Sequence, residues 1–193
     1  ILPAMYVINR TPVGRSIWYG FLTGLVTYML HNYWIGSFHV LATLIVPLIY
    51  AVYYMLLFPL LALARRRFPR NGYLVQTAIW IGYEYLRTLG FLGYAYGILG
   101  YSQYRLPALV RFSSITGIWG ISVLVVLPSI FLATILIRTD FSRIRENVSH
   151  TLTSFGAQIK EFKVDVFTYV AVFAVVLLVG GVVLRVDYSQ SPE

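Results

Sequence analysis

An all-α, polytopic transmembrane helical bundle, with about five membrane-spanning helices plus one amphipathic interfacial helix, is the fold expected of these 193 residues. Hydrophobic residues make up 59% of the chain and charged residues 11%, and the mean hydropathy of +0.74 lies far outside the range of water-soluble domains. The apolar residues gather in runs of about 20, the length that crosses a hydrocarbon core of about 30 Å. The basic residues fall mostly in the short segments between those runs, as membrane topology requires.

The runs extend from Ser16 to Gly36, Val40 to Ala64, Tyr73 to Tyr96, Ile115 to Ile137 and Val166 to Leu184. Trp18 and Tyr19 open the first, and Tyr33 and Trp34 close it, so amphipathic rings stand at both headgroup levels. Pro47, Pro59 and Pro128 lie within the apolar runs. A membrane helix tolerates them where its neighbours satisfy the carbonyls they free.

Orientation follows from the arginines and lysines, which accumulate on the cytoplasmic side. With the N-terminus inside, the inner segments hold Arg10, Arg15, Arg65, Arg66, Arg67, Arg70, Arg138, Arg143, Arg145, Lys160 and Lys163. The outer segments hold only Arg105, Arg111 and Arg185. Residues 1–185 are thus expected to form one transmembrane domain, and 186–193 a polar linker toward an extracytoplasmic domain. The chain starts at Ile1, and the reading is of a fragment trimmed at its N-terminus, with no signal peptide. Within 140–165, Phe141, Ile144, Val148, Leu152, Phe155, Ile159, Phe162 and Val166 recur every three or four residues, which predicts an amphipathic helix at the inner interface or packed on neighbouring loops.

A net charge of +8 does not here indicate nucleic acid, because no basic segment is interleaved with aromatics as single-strand binding requires. The chain has no cysteine, hence no disulfide or thiolate of its own. His31 and His39 flank the first outer turn with a spacing that matches no metal site. No metal and no cofactor is implied.

Glu84 and Arg87 are the charged residues deep inside an apolar run, where each costs about 2.5–3.5 kcal/mol unless satisfied. Their spacing places both on one helix face, as a structural ion pair or as contacts for a headgroup or substrate. On what is expected to be the same helix, Gly82, Gly90, Gly93, Gly97 and Gly100 fall close to one face. Gly93 and Gly97 there form a small-xxx-small pair, read as helix packing or as bare backbone for a lipid chain. Tyr101, Ser102 and Gln103 then begin an outer segment that reads as an interfacial belt or a hydrogen-bonded loop above the membrane.

The stretch from Trp80 to Gly120 resembles the membrane domain of apolipoprotein N-acyltransferases. That family carries a Trp before a Glu, Leu, Arg stretch, then a Gly, Phe, Pro, Trp turn, then Gly, Tyr, Ser, Gln, and a Gly, Trp or Tyr, Gly element. The matching residues are Trp80, Glu84, Leu86 and Arg87; Gly93, Tyr94, Ala95 and Tyr96; Gly100, Tyr101, Ser102 and Gln103; and Gly117, Trp119 and Gly120. Ala95 replaces the proline of the turn, and tyrosines flank it, which implies a softer bend.

The resemblance implies a bacterial inner-membrane enzyme that transfers an acyl chain from a phospholipid donor to the N-terminal diacylglyceryl-cysteine of a lipoprotein acceptor. It implies a thioester on a cysteine, assisted by a glutamate and a lysine, in a nitrilase-like domain outside these residues. The membrane part would then anchor the enzyme and deliver lipid. Its contact residues would be Glu84, Arg87, Gly93, Tyr94, Tyr96, Tyr101, Ser102 and Gln103. Two other readings remain open at this point: a substrate-binding membrane subunit of a transporter, and a membrane partner of a polyprenol phosphate mannosyltransferase.

Overall fold

The computed structural model describes residues 1–90, 93–139 and 148–183. Among them the chain is helical, as expected, and no strand occurs. The helices are α1 (Leu2–Arg10), α2 (Val13–His31), α3 (Ala42–Arg67), α4 (Gly72–Leu86), α5 (Pro107–Arg138), α6 (Val148–Glu161) and α7 (Lys163–Leu178). Short 3-10 turns at Tyr33–Ser37 and Leu99–Gln103 and a π turn at Val179–Val183 complete them. Phe141, Arg143, Ile144, Arg145, Arg185 and the expected linker 186–193 lie outside the described residues.

By length and composition, three helical stretches suffice to cross a membrane: α3, α5, and Lys163–Val182, which begins with α7. The other two expected spans fall outside this group for different reasons. One side of α2 is given to small and polar residues that face α3. By contrast, α4 is short: its 15 residues span about 22 Å at 1.5 Å each. The run from Tyr73 to Tyr96 is therefore not one helix. Gly90 has φ of 77°, a left-handed value that ends helical continuation, and the Tyr94 N–H then donates back to the Arg87 carbonyl at 2.9 Å.

This early stop corrects the reading of a glycine face. Gly90 and Gly97, both with φ of 77°, shape the loop after α4, and a Cβ on Gly82 would meet nothing within 4 Å. The close approach belongs to α2 instead. Ser16, Gly20, Gly24 and Tyr28 are its buried residues, spaced four apart along one face. A Cβ on Gly24 would lie 2.9 Å from the Ala51 Cα, and one on Gly20 would collide with the Tyr54 carbonyl.

The chain divides into two compact units, Ile1–Gly97 with Val126–Arg138, and Ile98–Val125 with Thr139–Glu193. In the first, α1 is held through Met5 and Ile8, both fully buried, and through Asn9. Gln76 on α4 donates to Asn9 Oδ1 at 2.6 Å and to the Leu61 carbonyl of α3 at 2.8 Å. Tyr73 meets Phe131 edge to face, with centroids 5.2 Å apart. Pro47 and Pro59 lie inside α3 without ending it.

In the second unit, Leu109, Ile121, Leu124 and Val176 form a core, with Phe112, Ile118, Tyr169 and Phe173 packed on it. Gly117, at φ 66° and ψ −177°, breaks α5 between the two parts that contribute these residues. The Tyr169 hydroxyl donates to the Leu124 carbonyl at 2.8 Å. Most of α7 is exposed apolar surface, as a helix facing lipid requires. The helix expected within 140–165 is α6; Phe162 is buried, while Leu152 and Ile159 stay exposed.

Candidate functional site

The first unit gathers a polar and aromatic cluster around one buried guanidinium. Trp80, Tyr83 and Glu84 on α4 and Arg87 at its C-terminal cap stand at positions i, i+3, i+4 and i+7, so they share a helix face. The last turns of α2 bring Tyr28 and Asn32 to it, α3 brings Tyr50 and Tyr54, and the loop after α4 brings Tyr94 and Tyr96.

Arg87 is 4% exposed. Its Nη1 donates to the Tyr28 hydroxyl at 2.6 Å and to the Tyr96 carbonyl at 2.8 Å. The hydroxyls of Tyr28 and Tyr83 share a hydrogen bond of 3.1 Å, and the guanidinium carbon lies 5.9 and 5.7 Å from the centroids of the same two rings. Aromatic faces and hydroxyl oxygens thus offset part of the cost of burying the charge. Glu84, 1% exposed, accepts from the Trp80 indole N–H at 3.2 Å.

Tyr94 bridges the loop to α2, its hydroxyl donating to Asn32 Oδ1. Its ring centroid lies 5.0 Å from that of Tyr50, which stacks in turn on Tyr28 at 4.8 Å. Tyr96 and Trp34, with centroids 6.1 Å apart, form the exposed edge of the cluster. The Arg87 Nε–H and the Asn32 Nδ2 donors are buried with no acceptor among the described residues. Buried donors of this kind call for an oxygen, and guanidinium donors match phosphate and carbonyl oxygens especially well.

Of the residues named from sequence, Glu84, Arg87, Tyr94 and Tyr96 belong to this cluster. Gly93 forms the tight turn that returns the loop, because a Cβ there would come within 2.6 Å of the Thr88 carbonyl. Tyr101, Ser102 and Gln103 belong to the second unit. There Ser102 donates to the Leu99 carbonyl at 2.6 Å and accepts from Gln103 at 2.9 Å. Tyr101 and Gln103 border a cavity of about 200 Å³ lined further by Leu109, Val110, Ser113 and Ile118.

Sequence reasoning missed Tyr28, Asn32, Tyr50, Tyr54 and Tyr83. The one signal of the four tyrosines is their place in the middle of apolar runs, away from the interface levels where such a ring is usually found; Asn32 carried none.

The sequence matches the family described as the apolipoprotein N-acyltransferase N-terminal domain over residues 1–131. Apolipoprotein N-acyltransferase 1 of Treponema denticola is 35% identical over 191 residues, covering 99% of this chain and 33% of that protein. Apolipoprotein N-acyltransferase of Geobacter metallireducens is 30% identical over 145 residues, 69% of this chain and 28% of its own length. Apolipoprotein N-acyltransferase 1 of Treponema pallidum is 53% identical over 57 residues, 30% of this chain and 10% of that protein. The chain spans about a third or less of the length of these curated relatives. No solved structure matches it.

Proposed function

Since the chain belongs to the apolipoprotein N-acyltransferase N-terminal domain family, we propose that it is the membrane domain of an enzyme that moves an acyl chain from phospholipid to the N-terminal diacylglyceryl-cysteine of lipoproteins. In this reading residues 1–185 anchor the enzyme in the inner membrane, with the N-terminus cytoplasmic, and 186–193 lead outward to the catalytic domain. The acyl-enzyme step needs a nucleophile. With no cysteine in the chain, that step is assigned to the part of the protein beyond these residues.

The contribution of this domain is delivery and orientation of lipid, which raises the rate by proximity. The observation that supports it is the Arg87 cluster: a buried guanidinium held by Tyr28 and the Tyr96 carbonyl, with one further N–H available to an oxygen, and exposed Trp34 and Tyr96 at its edge. A phospholipid offers phosphate and ester oxygens to such donors and acyl chains to the rings. Tyr101 and Gln103, beside an apolar cavity, are assigned a contact with acyl chain in the second unit.

Complementation tests the reading. The full-length protein and a version ending at Glu193 are expressed in cells depleted of their own apolipoprotein N-acyltransferase, and lipoprotein N-acylation is followed. Rescue by full length alone supports the proposal. Failure of both, with each inserted normally, overturns it and returns weight to the transporter and glycosyltransferase-partner readings.

A further inference from the structure

The cluster around Arg87 and the cavity beside Tyr101 leave α6 without a role, and α6 lies past residue 131, where the family match ends. It leads directly into one of the stretches able to cross a membrane: α6 ends at Glu161, α7 begins at Lys163, and Phe162 alone lies between. Phe162 is 2% exposed, and its φ of −101° and ψ of 22° depart from helical values. Hydrogen bonds still run through the junction, since the Phe162 N–H donates to the Gln158 carbonyl at 3.3 Å and the Val166 N–H to the Phe162 carbonyl at 3.0 Å. Lys163–Val182 is apolar and long enough to span a bilayer, and two residues of chain reach at most about 7 Å. The last turn of α6 is therefore tied to the headgroup level at which that stretch begins.

Around its axis α6 has distinct sides. Leu152, Phe155 and Ile159 stand at i, i+3 and i+7, one stripe along the helix. Leu152 is 64% and Ile159 37% exposed, and Phe155 is half-buried. Thr151, about 100° round the helix from Leu152, is buried and marks the side packed on the protein. Lys160 is exposed and lies about as far round on the other side of the stripe, and Lys163 is exposed at the start of α7. Glu161 falls about 180° from Leu152. Apolar, basic and acidic residues are thus sorted by direction.

We propose that α6 lies in the membrane–water interface, with Leu152 and Ile159 set among the first acyl carbons and Lys160 and Lys163 reaching lipid phosphates. An interfacial helix buries its apolar face about 5–10 Å into the boundary between headgroups and acyl chains, and α6 already has one end at that depth. Lysine stems follow apolar surface while their ammonium groups stay among the phosphates, and Glu161 is kept on the far side from the stripe. The partner is the bilayer rather than another protein segment, because the chain passes from the stripe straight into the exposed apolar surface of α7, where Val164 is 67% and Phe167 74% exposed. The inference rests on Lys163–Val182 crossing the membrane and is independent of lipid delivery at Arg87.

Photocrosslinking of the full-length protein in vesicles of phosphatidylethanolamine and phosphatidylglycerol tests the placement. The photoreactive residue p-benzoylphenylalanine replaces Leu152, Ile159, Ala157 or Val170 singly, all exposed positions, and lipid adducts are read by mass spectrometry. Val170 reports whether α7 is in the bilayer, and Ala157, about 140° round α6 from Leu152, reports the side turned from the stripe. Adducts at positions 152 and 159 are expected about fivefold above that at 157 and comparable with that at 170. Adducts at 170 with none above the 157 level at 152 and 159, or crosslinks from those two positions to protein, overturn the proposal and leave the crossing by α7 standing. No adduct at 170 overturns that crossing and the proposal with it.

Discussion

The Arg87 Nη1 donates to the Tyr28 hydroxyl at 2.6 Å, joining the end of α4 to α2 across 59 positions of sequence. The same hydroxyl also meets that of Tyr83, so one tyrosine oxygen serves a cation and a second phenol together.

Replacing Tyr28 with Phe removes the acceptor while keeping the ring stack on Tyr50. Loss of a buried hydrogen bond to a charged group costs about 1.5–3 kcal/mol. Tyr83→Phe removes only a bond between neutral hydroxyls, with a cost of about 0.5–1.5 kcal/mol. Thermal unfolding of the full-length protein in detergent is expected to rank Tyr28→Phe as the more damaging. The reverse order would mean that Arg87 does not depend on Tyr28.

Two glycines separate helix packing from helix propensity. Gly20→Ala puts a methyl group into the Tyr54 carbonyl, which pushes α2 off α3 at a cost of about 1–3 kcal/mol. Gly82→Ala meets nothing within 4 Å and gains up to about 1 kcal/mol of helix propensity. Folded yield and melting temperature are expected to fall for the first and to hold or rise for the second. Loss at Gly82 with tolerance at Gly20 would contradict the α2–α3 contact.

In the second unit, the Gly100 N–H donates to the buried Ser122 hydroxyl at 2.9 Å. Ser122→Ala leaves that amide without its acceptor, a cost of about 1–3 kcal/mol, whereas Ser122→Thr retains an oxygen. Hydrogen exchange at the segment containing Gly100 is expected to accelerate in the alanine variant alone. Unchanged exchange there would show that Ser122 does not hold the turn.

Composition was enough to predict helices, and the long apolar runs of α3, α5 and α7 were legible because each holds a long window with at most two charged residues. The extent of α4 was not. Its stop depends on Gly90 taking a left-handed conformation and on the Tyr94 N–H reaching the Arg87 carbonyl, and apolar counting sees neither. Glu84 and Arg87 stood out because charge is expensive in an apolar run. Their hydrogen-bond partners did not stand out: Arg87 donates to Tyr28 and to the Tyr96 carbonyl, and Glu84 accepts from Trp80. Tyr28, Asn32 and Tyr50 meet Arg87 and Tyr94 only through the packing of α2 on α3. That packing follows from Ser16, Gly20 and Gly24, a small-residue line in a run otherwise read for its length.

The short α4 also bears on the bilayer around it. A helix of about 22 Å in a hydrocarbon layer of about 30 Å leaves a mismatch of roughly 8 Å, which membranes accommodate by thinning or by admitting polar groups to greater depth. If lipid is delivered at Arg87 as proposed, headgroups beside the end of this helix would dip below their usual plane, and the distance a phosphate travels to Arg87 would be shortened by the membrane itself.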